Sequence, residues 1–122
     1  MHTTLISASQ LQALMEARTP LKVFDCSFDL MNPPGGAAQF LGAHIPGAHH
    51  ADLDRDLSAH AGDACASGGR HPLPTREAFA AWLAQAGVAP GMQVVVYDRQ
   101  GANYCGRLWW MLKWCGHEAV AV

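Results

Sequence analysis

Apolar residues recur at two different periods along this chain, and the two periods alternate from segment to segment. Leu5-Ile6 is a short apolar start, after which Leu11, Leu14 and Met15 mark one helical face. Ser7 caps that helix and Gln10 reaches back to it, with Ile6 and Leu11 placed as a hydrophobic staple. Pro20 closes the unit, and Leu21–Cys26 reads as a buried strand. Met31–Gly36 has turn composition and is expected to be a surface loop. His49–Leu53 reads as a short strand, and 58–74, rich in Gly, Ala, Ser and Pro, as a long excursion. Thr75 caps a second helix in which Phe79, Trp82, Leu83 and Ala86 recur at i, i+3, i+4 and i+7, with Gly87 at its C′ position. Pro90-Gly91 turns the chain into the apolar run Val94–Tyr97, typical of a central parallel strand. Asp98–Ala102 is a short loop, Asn103 a cap, 104–115 a third helix ending at Gly116, and Glu118–Val122 the start of another strand.

Strands alternating with helices predict an α/β domain built on a parallel sheet. A chain of 122 residues, half of them hydrophobic, makes one domain spanning 1–122. Its last residue falls inside an apolar strand, so the domain is expected to be truncated at its C-terminus. The third helix is apolar on several sides. Tyr104, Leu108, Met111, Leu112 and Cys115 form the face that packs on the sheet, and Arg107, Trp110 and Trp114 the adjoining flank. That tryptophan flank and the last strand are both expected to lack cover, which predicts marginal stability.

A formal charge of −2 and the absence of a basic run argue against nucleic acid or an anionic membrane as partner. No apolar run approaches the roughly 18–20 residues that cross a bilayer. Cys26, Cys65, Cys105 and Cys115 form no C-x-x-C pair, and no secretory signal opens the chain, so a reduced, cytoplasmic protein is expected. His44, His49, His50, His60 and His71 lie close in sequence to Asp52 and Asp54, yet without the spacing of a metal site. No metal and no cofactor are expected.

Two stretches resemble a known family. Phe40-Leu-Gly-Ala-His44-Ile45-Pro46-Gly47-Ala48 resembles the signature of the rhodanese sulfurtransferases, with Ala51 standing where that family usually has a larger apolar residue. His71-Pro-Leu-Pro74, the Thr75 helix, Val94-Val-Val-Tyr-Asp-Arg99, Arg107-Leu-Trp-Trp-Met-Leu and Gly116-His117 follow in the order seen in two-domain thiosulfate and 3-mercaptopyruvate sulfurtransferases. The similarity is to their N-terminal, non-catalytic domain. It implies a three-layer α/β/α fold and a sulfur donor bound in a pocket shared with a C-terminal rhodanese domain, which carries the nucleophilic cysteine.

In this chain Asp98 occupies the loop position of that cysteine, so no catalytic residue is expected. By resemblance Arg107 binds the substrate carboxylate, while Asp98, Arg99, Trp110 and Trp114 lie towards the pocket and the interdomain face. For Arg107 a plain ion pair with cation–π contact to Trp110 stands as the other reading. Pro46 and Gly47 make a rigid turn that holds His44 in one orientation, either serving the turn alone or facing a substrate. Cys105 falls in the first turn of the third helix, where it is either a buried inert thiol or one activated by the helix dipole. The alternative for the whole chain is a non-catalytic rhodanese-like module that binds another protein.

Overall fold

The computed structural model describes residues 1–122. Along the chain run α1 (Ala8–Glu16), β1 (Leu21–Asp25), α2 (Gly35–Gly42), β2 (His49–His50), α3 (Arg76–Gln85), β3 (Gln93–Tyr97), α4 (Cys105–Trp114) and β4 (Val120–Ala121). The four strands form one parallel sheet in the order β2-β1-β3-β4. The longest pairing sets Leu21 opposite Gln93 and Asp25 opposite Tyr97.

The alternation of side chains along β1 and β3 builds the layers. Phe24, Val94 and Val96 point to one face, where Phe79 and Leu83 of α3 and Leu108, Met111 and Leu112 of α4 complete the main core. Val23 and Val95 point to the other, against Leu11 of α1, Ala48, and the partly buried Phe40 of α2, Ile45 and Tyr97. The expected three-layer arrangement is therefore present, with a deep core under α3 and α4 and a thin one under α1 and α2. Truncating Met111 or Phe79, both buried, costs about 3–4 kcal/mol through lost transfer energy and a cavity. No helix is long and apolar enough to cross a membrane.

Local signals in the sequence fix several boundaries. Ser7 Oγ accepts from the Gln10 N–H at 3.1 Å, and the Gln10 side chain accepts from the Ser7 N–H at 2.9 Å. Thr75 caps α3 through the Ala78 N–H. Three expectations are corrected. The stretch read as a loop through Gly36 already enters α2 at Gly35. A Cβ on Gly36 would collide with the Ser27 carbonyl and the Phe28 backbone, so glycine is what lets α2 seat against the loop after β1. The strand expected over His49–Leu53 pairs at two residues only.

The third correction concerns the last strand, whose outer edge is covered. Val122 N–H donates to Thr4 C=O at 2.9 Å and Ile6 N–H to Val122 C=O at 3.0 Å. The Trp109 indole N–H ties the same segment down, shared between Thr3 C=O and Val120 C=O at 3.1 Å each. An edge masked in this way offers no row of free amides to another chain.

Candidate functional site

All four strands run parallel, so their carboxyl ends gather on one side of the sheet, where open α/β folds place their ligands. β3 ends there at Tyr97, and the loop that follows wraps around the side chain of its own first residue. Asp98 Oδ1 accepts from the N–H groups of Gln100 at 2.8 Å and Ala102 at 2.9 Å. Asp98 Oδ2 accepts from Tyr104 and Cys105, both at 2.9 Å. Gly101 and Ala102 both take left-handed backbone angles, which turns the amides inward. Burial works to raise the Asp98 carboxyl, but the four amides, Cys105 and Tyr104 foremost, outweigh it and hold it below its ordinary 3.8. Asn103, expected to cap α4, does not. The N-cap is Tyr104, whose side chain makes no capping bond, and Asp98 fills that role from across the loop.

The three cysteines of the packed layers are not set up as nucleophiles. Cys105 is fully buried, and burial together with the adjacent Asp98 carboxylate pushes its thiol up to about 12. Burial also pushes Cys26 well up and raises Cys115. Thiols so raised stay protonated at neutral pH and attack poorly. Of the two readings open for Cys105, the geometry selects the inert one. Cys65 is exposed on the excursion.

Arg99 turns inward. Its Nη1 donates to Asp25 Oδ2 and to Ser27 Oγ, both at 2.9 Å, and its Nη2 donates to the Ala43 carbonyl. His44 donates from Nδ1 to the Phe40 carbonyl at 2.8 Å and stacks on the Phe40 ring, with centroids 3.9 Å apart. Its turn is thus held, and the ring edge stays exposed.

Arg107 reaches another part of the same side. Its Nη2 donates to the Leu57 carbonyl at 2.8 Å, while Nε is buried without a partner. Burial lowers its pKa, and no carboxylate answers its charge. The cation–π contact with Trp110 is not formed. Arg76 instead lies 5.2 Å from the Trp114 ring, and Lys113 lies 5.4 Å from Trp109. Trp110 and Trp114 stack at 5.6 Å, with Trp110 still 46% exposed. The structure brings Asp98 and Arg99 together with the β1 exit, places Arg107 on the turn at Leu57, and leaves the tryptophan pair against Arg76 of α3.

A profile of the rhodanese-like domain family matches residues 7–122. The chain belongs to the rhodanese-like domain family. A Pseudomonas aeruginosa protein named "Probable 3-mercaptopyruvate sulfurtransferase" is 43% identical over 112 residues, covering 92% of this chain and 38% of that protein. The human 3-mercaptopyruvate sulfurtransferase is 36% identical over 109 residues, 87% of this chain and 35% of its own length. Among solved structures, 3-mercaptopyruvate sulfurtransferase from Leishmania major superposes with a TM-score of 0.81 at 30% identity, over 98% of this chain and 32% of that one. The rhodanese-like domain thus spans well under half of the relatives it matches.

One feature of this rhodanese-like domain escapes sequence reasoning. His71 Nδ1 lies 2.8 Å from Asp54 Oδ1, while its Nε2 is buried and unpaired. His71 packs edge-on against Phe28, which also meets Tyr104 at the start of α4. Asp54 lies three residues before Leu57, whose carbonyl holds Arg107 through Nη2. The sequence shows His71 and Asp54 only as members of a histidine-rich stretch, and the left-handed backbone of His71, φ 51°, is not written in it.

Proposed function

We propose that this rhodanese-like domain is the non-catalytic half of a sulfurtransferase acting on thiosulfate or 3-mercaptopyruvate, whose nucleophilic cysteine lies on a further rhodanese repeat. In that reaction a cysteine thiolate attacks the donor sulfur: with thiosulfate the S–S bond breaks and sulfite leaves, and with 3-mercaptopyruvate the C–S bond breaks and pyruvate leaves as its enolate, which takes up a proton. The persulfide then passes its sulfur to cyanide or a thiol. A thiolate, and then a persulfide, needs converging amide donors around it. The observation that carries the proposal is that the four amides of the 98–105 loop already hold the Asp98 carboxylate. A carboxylate forms no persulfide and repels an anionic donor.

What this half contributes is positioning. Arg107, half-buried and without a counter-charge, suits the carboxylate or sulfonate oxygens of a donor. His44 lies at the rim, and the exposed Trp110 with Trp114 suits contact with the second domain. The four free cysteines fit a reducing, cytoplasmic setting.

The test is direct. The purified chain, given thiosulfate and cyanide or 3-mercaptopyruvate and a thiol, is expected to turn over neither and to gain no persulfide in intact mass spectrometry. Thiocyanate production lost in Cys105→Ser would overturn the proposal. The coding sequence beyond codon 122 is expected to carry a second repeat with a cysteine after its central strand. A gene without one points to the protein-binding module.

A further inference from the structure

The turn that carries His44 is fixed to the sheet on both sides of that residue. Ala43 C=O, immediately before it, accepts from Arg99 Nη2. Ile45 N–H, immediately after it, donates to the Tyr97 hydroxyl at 3.0 Å. Arg99 and Tyr97 both adjoin the same third group, Asp25. Arg99 Nη1 lies 2.9 Å from Asp25 Oδ2, and Tyr97 is the register partner of Asp25 on the adjacent strand. Asp25 has no solvent exposure, and Ser27 N–H holds its other oxygen at 2.8 Å. The side chains of Asp25 and Tyr97 share one face of the sheet, because the two residues are register partners on adjacent strands.

We infer that Arg99 is a positioning residue: with Tyr97 and the buried Asp25 it clamps the backbone on either side of His44 and so sets the direction in which that imidazole faces. The clamp has two arms of different kinds. The Arg99 arm is a planar fork whose two ends reach a carboxylate and a carbonyl contributed by segments far apart in sequence. The Tyr97 arm is a hydroxyl on a rigid ring within β3. The ring of His44 is then locked locally, by its bond to Phe40 C=O and by stacking on Phe40, which has His50 at 5.5 Å on a second contact. A shallow recess of about 300 Å³ lined by Ala43, His44, Ile45, Tyr97 and Arg99 lies over the clamp.

This gives Arg99 a structural role in addition to its place near the surface recess. Its guanidinium gives donors to Asp25, Ser27 and Ala43 while the side chain stays 33% exposed. The inference concerns the orientation of His44 and stands or falls separately from the sulfurtransferase reading.

Arg99→Lys and Arg99→Met in the full chain test it, with amide hydrogen exchange and nuclear Overhauser contacts read by NMR. Lysine keeps a positive charge for Asp25 but loses the fork, so Arg99→Lys keeps the fold. In both variants the Ile45 amide is expected to exchange at least ten-fold faster than in the wild type, after normalising to the core amide of Val95. The His44–Phe40 ring contacts are expected to weaken. If Arg99→Met does not fold, Asp25→Asn/Arg99→Met removes the stranded charge and is expected to fold with Ile45 still fast. Ile45 exchange that rises only in step with Val95, with His44–Phe40 contacts intact, would overturn the inference. Arg99 would then merely neutralise Asp25.

Discussion

Two adjacent strands of this sheet lead into carboxylates, and the protein satisfies each by a different means. Asp25, the last residue of β1, is answered by Ser27 two residues on and by the guanidinium of Arg99, 74 positions away. Asp98, the first residue after β3, is answered by the backbone of its own loop, by amides no more than seven residues ahead. The first solution ties three separate segments together and displays His44 on the outside. The second closes on itself, with the amides of Gln100, Ala102, Tyr104 and Cys105 already taken by the carboxylate. The same chemical group, an aspartate at a strand end, thus builds a strut in one place and a plug in the other.

The largest expected effect comes from breaking the strut. Arg99→Met leaves Asp25 buried without its counter-charge, and urea unfolding is expected to show a loss of about 4 kcal/mol. Removing the plug costs less, since the loop is partly open to water. Asp98→Ala is expected to lose about 3 kcal/mol through orphaned amides and the lost cap of α4, with Asp98→Asn losing less.

Acid sharpens the comparison, because both carboxyls are held below their ordinary 3.8 in the folded state. Groups with depressed pKa values stabilise the fold fully above the unfolded value and lose that contribution as pH falls through the folded one. The contribution of these two carboxyls is expected to be constant from about pH 5 to neutrality and to fall below 3.8, while His49, held below 6.5 by burial and by Lys22, costs some stability as pH drops below 6.5. Asp98→Asn is expected to shallow that fall in pH-dependent denaturation. Gly47→Ala, at φ 81° in the His44 turn but with open space around its Cβ, is expected to cost only about 1 kcal/mol. The smallest effect is chemical. At neutral pH iodoacetamide is expected to alkylate Cys65 and to spare Cys26 and Cys105 until the chain unfolds, as read by peptide mass spectrometry.

What the sequence made legible was local. The capping box at Ser7 and Gln10, the Thr75 cap, the buried face of α4 and the apolar β3 all depend on residues within one or two turns of each other. What it hid depends on contacts between distant segments. Gly35-Gly36 reads as a turn, and only the close approach of the Ser27 carbonyl shows why a helix begins with glycine there. Asn103 looks like a cap until Asp98 reaches the same amides first. Arg99 and Arg107 were both legible as charges, but a sequence does not say that one turns to Asp25 and the other to the Leu57 carbonyl. The cover on β4 comes from Thr4 and Ile6 at the opposite end of the chain. Asp54 and His71 lie on either side of the long excursion, and only the fold brings them together.

The plug is the centre of this account, and the amides of Gln100, Ala102, Tyr104 and Cys105 report on it one by one. In a thiosulfate titration at neutral pH, followed by ¹H–¹⁵N correlation spectra, the four resonances are expected to stay in place. On acidification they are expected to move together only below 3.8, as the Asp98 carboxyl takes up its proton. Saturable shifts of these four amides with millimolar thiosulfate at neutral pH would contradict the account, because they would show a nest free to hold the donor.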